Sequence, residues 1–175
     1  MSSNTEIRPV RSASELRKFI LYPWKLYRGS RYWVAPLVSD EKRLLDPSKN
    51  PFFEHSEAQH FLAWRDGKIV GRISAIVDHN YVEFQQEKVG FFGFFECIDD
   101  EPTAAKLFTV AEDWLRERGM ERMIGPANPS TNDVVGMLTD AFDQYPVIHM
   151  PYNFPYYLRL AEACGYTKAR DLYAY

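Results

Sequence analysis

The stretch QHFLAWRDGKIVGRISAIVD, Gln59–Asp78, decides the fold class. Gln59–Arg65 and Lys68–Asp78 are strand-like runs separated only by Asp66-Gly67, a dipeptide that accommodates the positive φ angles of a type I′ turn. The pair reads as a β-hairpin. In its second strand Ile69, Ile73, Ala75 and Val77 share one face, with Gly71 between them. Beyond it, Val89–Ile98 reads VGFFGFFECI, nearly continuous Phe and Gly, as befits a central strand buried on both faces. Gly90 and Gly93 leave room there for close approach of packing neighbours or a ligand.

Downstream, Ala104, Leu107, Phe108, Ala111, Trp114 and Leu115 form one helical stripe, with Lys106, Glu112, Asp113, Arg116 and Glu117 on the polar side and Gly119 placed to end it. A short strand, Arg122–Gly125, leads into the irregular loop PANPSTND, and residues 134–150 show no decisive period. A last helix runs from about Pro155 to Cys164, with Gly165 past its end, and Tyr166–Tyr175 reads as a terminal strand. Upstream, Ile7–Arg11 is a short strand. Ser12 and Glu15 have the capping-box spacing before a helix carrying Leu16, Phe19 and Ile20, which Pro23 kinks or ends. Tyr27–Pro36 reads as an aromatic loop and Asp40–Leu45 as a second helix capped by Asp40. The order is strand, two helices, three consecutive strands, helix, strand, helix, strand. It implies one α/β (α+β) domain over residues 1–175, a mixed, mostly antiparallel sheet with helices on both faces.

Composition narrows the function classes. The chain has 175 residues and a net charge of −3, which excludes a nucleic-acid binder working through whole-surface basicity. Residues 1–31 carry Arg8, Arg11, Arg17, Lys18, Lys25, Arg28 and Arg31 against Glu6 and Glu15, a net of +5, so the remainder carries −8. This basic face is either simply solvated or meets an anionic ligand or a membrane surface, a peripheral contact. Cys97 and Cys164 match no redox or metal spacing, and Met1–Arg11 lacks an apolar secretory region, so a cytoplasmic location is expected. His55, Glu57 and His60 straddle a loop and a strand, poor geometry for convergent ligands, and no metal is expected.

The segment Asn153–Tyr166, NFPYYLRLAEACGY, taken with GRISAIVDHN, GFFGFFECIDD and GPANPSTND, resembles the GNAT acyl-CoA N-acyltransferases over nearly the whole chain. It also resembles the N-terminal half of a longer bacterial GNAT-like group in which a second acyltransferase-like domain follows. The resemblance implies central strands that splay apart, with acetyl-CoA or a longer acyl-CoA bound between them. Carried onto this sequence, it places the cofactor along Phe95, Cys97 and Ile98, at Thr103 on the next helix, and by Asn153. It implies attack of a primary amine on the thioester, with Glu96 as base and Tyr157 as the acid that protonates the departing thiolate. Glu96 is an acid in an apolar strand, where burial would raise its pKa; the alternative is a solvated strand-end carboxylate. Tyr157 stands one turn before Ala161, the position the family's Tyr usually takes, and it also fits the apolar stripe Tyr157, Leu160, Ala161, Cys164.

Asn128, Ser130, Thr131 and Asn132 follow the fifth strand beside the implied cleft, where they would orient a substrate or serve as turn and cap. The run Tyr145–Tyr157, with His149 and Tyr152, would wall an apolar pocket or cover the sheet. Where the family has a basic, Gly-rich diphosphate loop, this chain has Asp99-Asp100-Glu101-Pro102-Thr103-Ala104. At ~4 Å and an effective dielectric of ~20, each contact between a carboxylate and a phosphate would cost about 4 kcal/mol. Asp100 equally suits a helix cap. Two readings follow: an N-acyltransferase domain acting on a small or lipid-like amine, or a non-catalytic docking module of the same fold that meets a second such domain or a like copy.

Overall fold

The computed structural model describes residues 4–173. Strands β1 (Glu6–Pro9), β2 (Ser56–Arg65), β3 (Lys68–Asp78), β4 (Val89–Cys97) and β5 (Arg122–Ile124) form one sheet in the order β1-β2-β3-β4-β5. All neighbours are antiparallel except β4 and β5, which are parallel. Helices α1 (Ala13–Leu26) and α2 (Val38–Leu44) follow β1, and α3 (His79–Gln85) lies between β3 and β4. Helix α4 (Glu101–Arg116) connects β4 to β5. After β5 come the two-stranded ribbon β6 (Ala127–Asn128) and β7 (Val134–Val135), and then α5 (Tyr156–Ala163). No helix among the described residues is long and apolar enough to cross a membrane.

The period-2 alternation of the strands sorts the core into two layers. On one face Ile73, Ala75, Val77, Phe92, Phe95 and Cys97 pack against Leu107, Phe108, Ala111 and Leu115 of α4 and Leu160 of α5. On the other, Leu62 and Phe94 pack against Phe19 and Ile20 of α1 and Leu45 after α2. Each fully buried Leu, Ile or Phe contributes about 1.5–3 kcal/mol, so helices on both faces are required to cover a sheet this apolar.

At the hairpin tip both Asp66 (φ 49°) and Gly67 (φ 71°) take the positive φ that the turn demands. A second irregularity matters more. Arg72 pairs with Glu96 and Ser74 with Gly93, so β4 spends three steps where β3 spends two. The extra residue is a β-bulge, marked by φ 50° at Phe94. Without it, Glu96 would share the face of Phe92 and point into the apolar layer under α4. The bulge instead sends Phe95 and Cys97 to that layer and turns Glu96 to the face of Arg72 and α1.

β4 and β5 pair only over Val89–Phe91 and then part. The chain leaving β5 crosses the β4 edge instead. A Cβ on Gly93 would stand 1.8 Å from the Ala127 carbonyl, so only glycine permits this crossing. Asn128 Oδ1 accepts the Phe94 amide hydrogen at 2.6 Å. Gly90 serves packing, its α-carbon lying under Leu115.

Several local expectations need correction. Residues 79–85 form α3, which Asp78 caps through the amides of Asn80 and Tyr81, so the three strands are not consecutive. α1 continues through Pro23 to Leu26, and α2 is entered from Leu37 without a side-chain cap, Asp40 lying inside it. No terminal strand forms over residues 166–173, and residues 174 and 175 lie outside the described part.

Candidate active site

Glu96 sits near the end of β4, beyond the point where β5 has departed. Its Oε2 accepts hydrogen bonds from the Tyr27 hydroxyl at 2.5 Å and the Tyr157 hydroxyl at 2.6 Å. Arg72 Nη2 stands 3.5 Å from Oε1, and the two side chains are 6% and 12% exposed. Both tyrosine hydrogens therefore point at the carboxylate, and the 3.3 Å separation of the two hydroxyl oxygens brings them together across it. The Tyr157 oxygen in turn accepts the Cys97 amide hydrogen at 3.2 Å, on the strand edge that β5 leaves free, and the Tyr156 hydroxyl donates to the Cys97 carbonyl at 2.8 Å.

The position of Arg72 follows from a proline. Pro23 has no N–H, so the carbonyl of Phe19, four residues earlier, has no helical partner. Arg72 Nη1 donates to that carbonyl at 2.9 Å, and its guanidinium lies over the Phe19 and Phe94 rings, 4.8 and 5.8 Å from their centroids. A buried cation is thus anchored to α1, with a carboxylate across the strand pair.

The electrostatics are those of a buried ionic cluster. Burial raises the Glu96 pKa above the ordinary 4.5, opposed by the Arg72 charge and by hydrogen bonds from Tyr157, Tyr27 and Arg72 itself. Burial and the neighbouring Glu96 push the Tyr27 and Tyr157 phenols well above 10, so both stay protonated. The Tyr22 hydroxyl and Arg72 Nε are buried without a protein partner. Burial pushes the Tyr22 phenol upward, with Cys97, Glu96 and Tyr156 acting the same way and the Arg72 charge opposing them. Each orphan costs about 1–3 kcal/mol, which a bound polar group would offset.

His60, on β2, lies beside this cluster with Nδ1 2.7 Å from the Ser74 hydroxyl. Burial and the Arg72 charge lower its pKa to about 4. The folded state thus keeps it neutral where the unfolded chain, near 6.5, binds a proton. The stability this confers is present above pH 6.5 and lost as pH falls to about 4, by about 3 kcal/mol. Urea titrations across that range are expected to show His60→Gln losing less stability than the parent by that amount; parallel curves would refute the assignment.

Aromatic rings surround the Tyr27 end. Trp33 stacks on Tyr27 at 5.2 Å, and Phe154 and Tyr152 lie at 4.8 and 5.4 Å. They come from the loop after α1 and the segment before α5, whose outer residues Val34, Leu37, Val147 and Ile148 are exposed.

The sequence-based candidates divide accordingly. Glu96, Tyr157, Cys97 and Tyr152 converge here, and Phe95 packs behind Tyr157 at 5.3 Å. Asn128 binds the bulge. The Ile98 amide returns to β3 through the Val70 carbonyl. Asn153 is buried and clasps Leu138, accepting from its amide at 2.7 Å and donating to its carbonyl at 3.3 Å. The Ser130 hydroxyl binds Asp133 and accepts from the Asn132 amide within their own loop, and His149 is exposed with φ 64°. His55, Glu57 and His60 have separate partners, and no group of three or more His, Cys, Asp or Glu among the described residues could hold a metal ion.

Asp100 caps α4, accepting from the Thr103 amide at 3.0 Å and from Arg65 at 2.6 Å. The buried Thr103 hydroxyl belongs to the same cluster with Arg65 and Thr5. Asp99 and Glu101 both pair with Arg159. The helix tip thus holds three carboxylates against two guanidiniums, and its cap has already taken the Thr103 amide. These residues do not fit a coenzyme A diphosphate.

No family model matches the chain. It is 39% identical over 175 residues to a protein of Caulobacter vibrioides named bacterial ceramide synthase, covering 99% of this chain and 46% of that protein. It is 35% identical over 169 residues to protein YghO of Escherichia coli, covering 97% of this chain and 43% of that one. The chain thus spans under half the length of these curated relatives. Among solved structures, it resembles the aminoglycoside acetyltransferase AAC(6')-Iy in complex with a CoA bisubstrate analogue, with TM-score 0.60 and 15% identity over 99% of this chain and 97% of that one. It also resembles a tandem GNAT protein from the clavulanic acid biosynthesis pathway, with TM-score 0.56 and 13% identity over 93% of this chain and 43% of that one. In its element order, its mostly antiparallel sheet and its helices on both faces, the chain has the fold of the GNAT acetyltransferases.

Proposed function

We propose that this chain is the acyl-transfer unit of an N-acyltransferase that joins an acyl group from a thioester to a primary amine of lipid-like character. The observation that carries the reading is a buried carboxylate shared by two tyrosine hydroxyls at the strand edge that β5 leaves free. The name of the Caulobacter relative and the aromatic walls of Trp33, Tyr152 and Phe154 support the lipid-like amine.

The chemistry balances within the cluster. As the free amine's nitrogen bonds to the acyl carbon, its proton passes to Glu96; the C–S bond breaks, and the thiolate takes the Tyr157 proton. A phenol with so high a pKa is a weak acid alone. Protonated Glu96, 2.6 Å away, replaces the proton as it leaves, so Tyr157 acts as a relay. Tyr27 holds the carboxylate in place, and the Arg72 charge favours its ionised form against the burial that raises its pKa. A second GNAT-like unit is the partner that the greater length of the relatives and the tandem GNAT neighbour support.

Because the tip of α4 does not suit a diphosphate, the nucleotide end of a CoA thioester contributes little binding here. With a long-chain amine, mass spectrometry is expected to show amide formed from an N-acetylcysteamine thioester and from the matching acyl-CoA, with KM values within about tenfold of each other. The tyrosine hydroxyls that occupy the Cys97 amide and carbonyl support a second reading, a docking module without catalysis. Absence of amide from both donors, together with no thermal shift at millimolar CoA, would establish that reading instead.

A further inference from the structure

The geometry points to a membrane-contact groove between α1 and the β2–β3 hairpin that receives the anionic headgroup surface of a lipid bilayer. One wall is the outer face of α1, where Leu21 and Lys25 follow the adjacent pair Arg17 and Lys18 at three- and four-residue spacing; the other is Trp64, Lys68 and Ile69. The groove encloses about 520 Å³. Its four cations are exposed and form no ion pair among the described residues, while Trp64, Leu21 and Ile69 are half-buried beneath them. The nearby acids offset only part of this charge: Glu15 caps α1 and feels the Lys18 charge, Glu6 pairs with Arg8, and Asp66 stands at the hairpin tip, against four groove cations and Arg8.

Trp64 is flanked by charge. The Arg8 guanidinium lies 5.5 Å and the Lys18 ammonium 5.4 Å from its ring centroid. An amphipathic ring on β2 framed by long cationic side chains, beside a helix anchored in the core through Phe19 and Ile20, is the arrangement that sits at a lipid headgroup level. Uncompensated like charges repel one another unless an anionic surface faces them, and the segment 1–31 carries +5 in a chain of −3. A broad anionic surface suits cations spread over about two helical turns and the facing hairpin better than a single small anion does. Tyr22 lines the groove and its hydroxyl lies toward the Glu96 cluster, but the cations and Trp64 take no part in that cluster, and the inference stands whether or not the cluster is catalytic.

The test is sedimentation of the chain with phosphatidylcholine vesicles, with and without phosphatidylglycerol. Binding is expected only with the anionic lipid and is expected to vanish in high salt, where the Debye length falls to ~3 Å. Neutralising the groove by Arg17→Gln, Lys18→Gln, Lys25→Gln and Lys68→Gln together is expected to weaken binding by at least ~100-fold, at about fivefold per cation. The charge-matched control Lys88→Gln, Arg116→Gln, Arg122→Gln and Lys168→Gln is expected to retain it. Brominated lipid is expected to quench the fluorescence of the parent chain more than that of Trp64→Phe. Equal binding to neutral vesicles, indifference to the groove variant, or tight binding of ATP or heparin with none to vesicles would each overturn the inference.

Discussion

Glu96→Gln is expected to lower the rate of amine acylation by about 10²–10⁴-fold, the range for loss of a positioned base. The amide keeps an oxygen for the Tyr27 and Tyr157 hydroxyls, so the cluster retains its shape while losing its proton acceptor. The loss is expected in kcat and kcat/KM alike, with KM little changed, because the carboxylate acts as the nitrogen sheds its proton. Tyr157→Phe removes only the relay and is expected to cost less. A Glu96→Gln enzyme that turns over within threefold of the parent, with a parent-like melting temperature, would remove Glu96 from the chemistry.

Arg72→Met is expected to destabilise the fold by about 3–5 kcal/mol, measured by urea unfolding at neutral pH. The side chain is 6% exposed, and its loss leaves both the Glu96 charge and the Phe19 carbonyl without their partner. Adding Glu96→Gln to Arg72→Met removes the uncompensated charge and is expected to recover part of the loss, a coupling of about 1–3 kcal/mol. Arg72→Met costing less than 1 kcal/mol, or strictly additive losses, would show that the pair is not a unit. This test needs no substrate and separates the architecture of the site from its activity.

Much of this was legible in the sequence and some was not, for identifiable reasons. The Asp66-Gly67 turn, the Phe-rich β4 and the apolar stripe of α4 are local patterns, and local patterns fix local structure. Glu96 stood out as an acid in an apolar strand, and the family resemblance pointed to Tyr157, in the first turn of the last helix. Arg72 gave a comparable signal, a lone cation in GRISAIVD, but its pairing with Glu96 depends on the β3–β4 register and on the bulge at Phe94. A one-residue slip would place the two on opposite faces. Tyr27 gave no signal at all. It lies 69 residues from Glu96 in an irregular aromatic loop, and only the tertiary fold unites them. The missing N–H of Pro23 suggested the end of a helix; in the folded chain it frees a carbonyl that binds Arg72, a role visible only with the neighbouring sheet in place. The expected terminal strand did not form: Tyr166 packs its ring on Phe92 and Phe108 instead, a tertiary contact that local composition does not reveal.

The proposed acyl transfer depends on a buried Glu96 carboxyl of raised proton affinity that takes a proton from the amine and returns it through Tyr157. The most direct measurement is an NMR titration of the ¹³C side-chain carboxyl resonance of Glu96, assigned by its loss in Glu96→Gln. A midpoint above the ordinary 4.5, moving further upward in Arg72→Met, is the predicted result. A midpoint at or below 4.5, unmoved by removal of Arg72, would contradict the account.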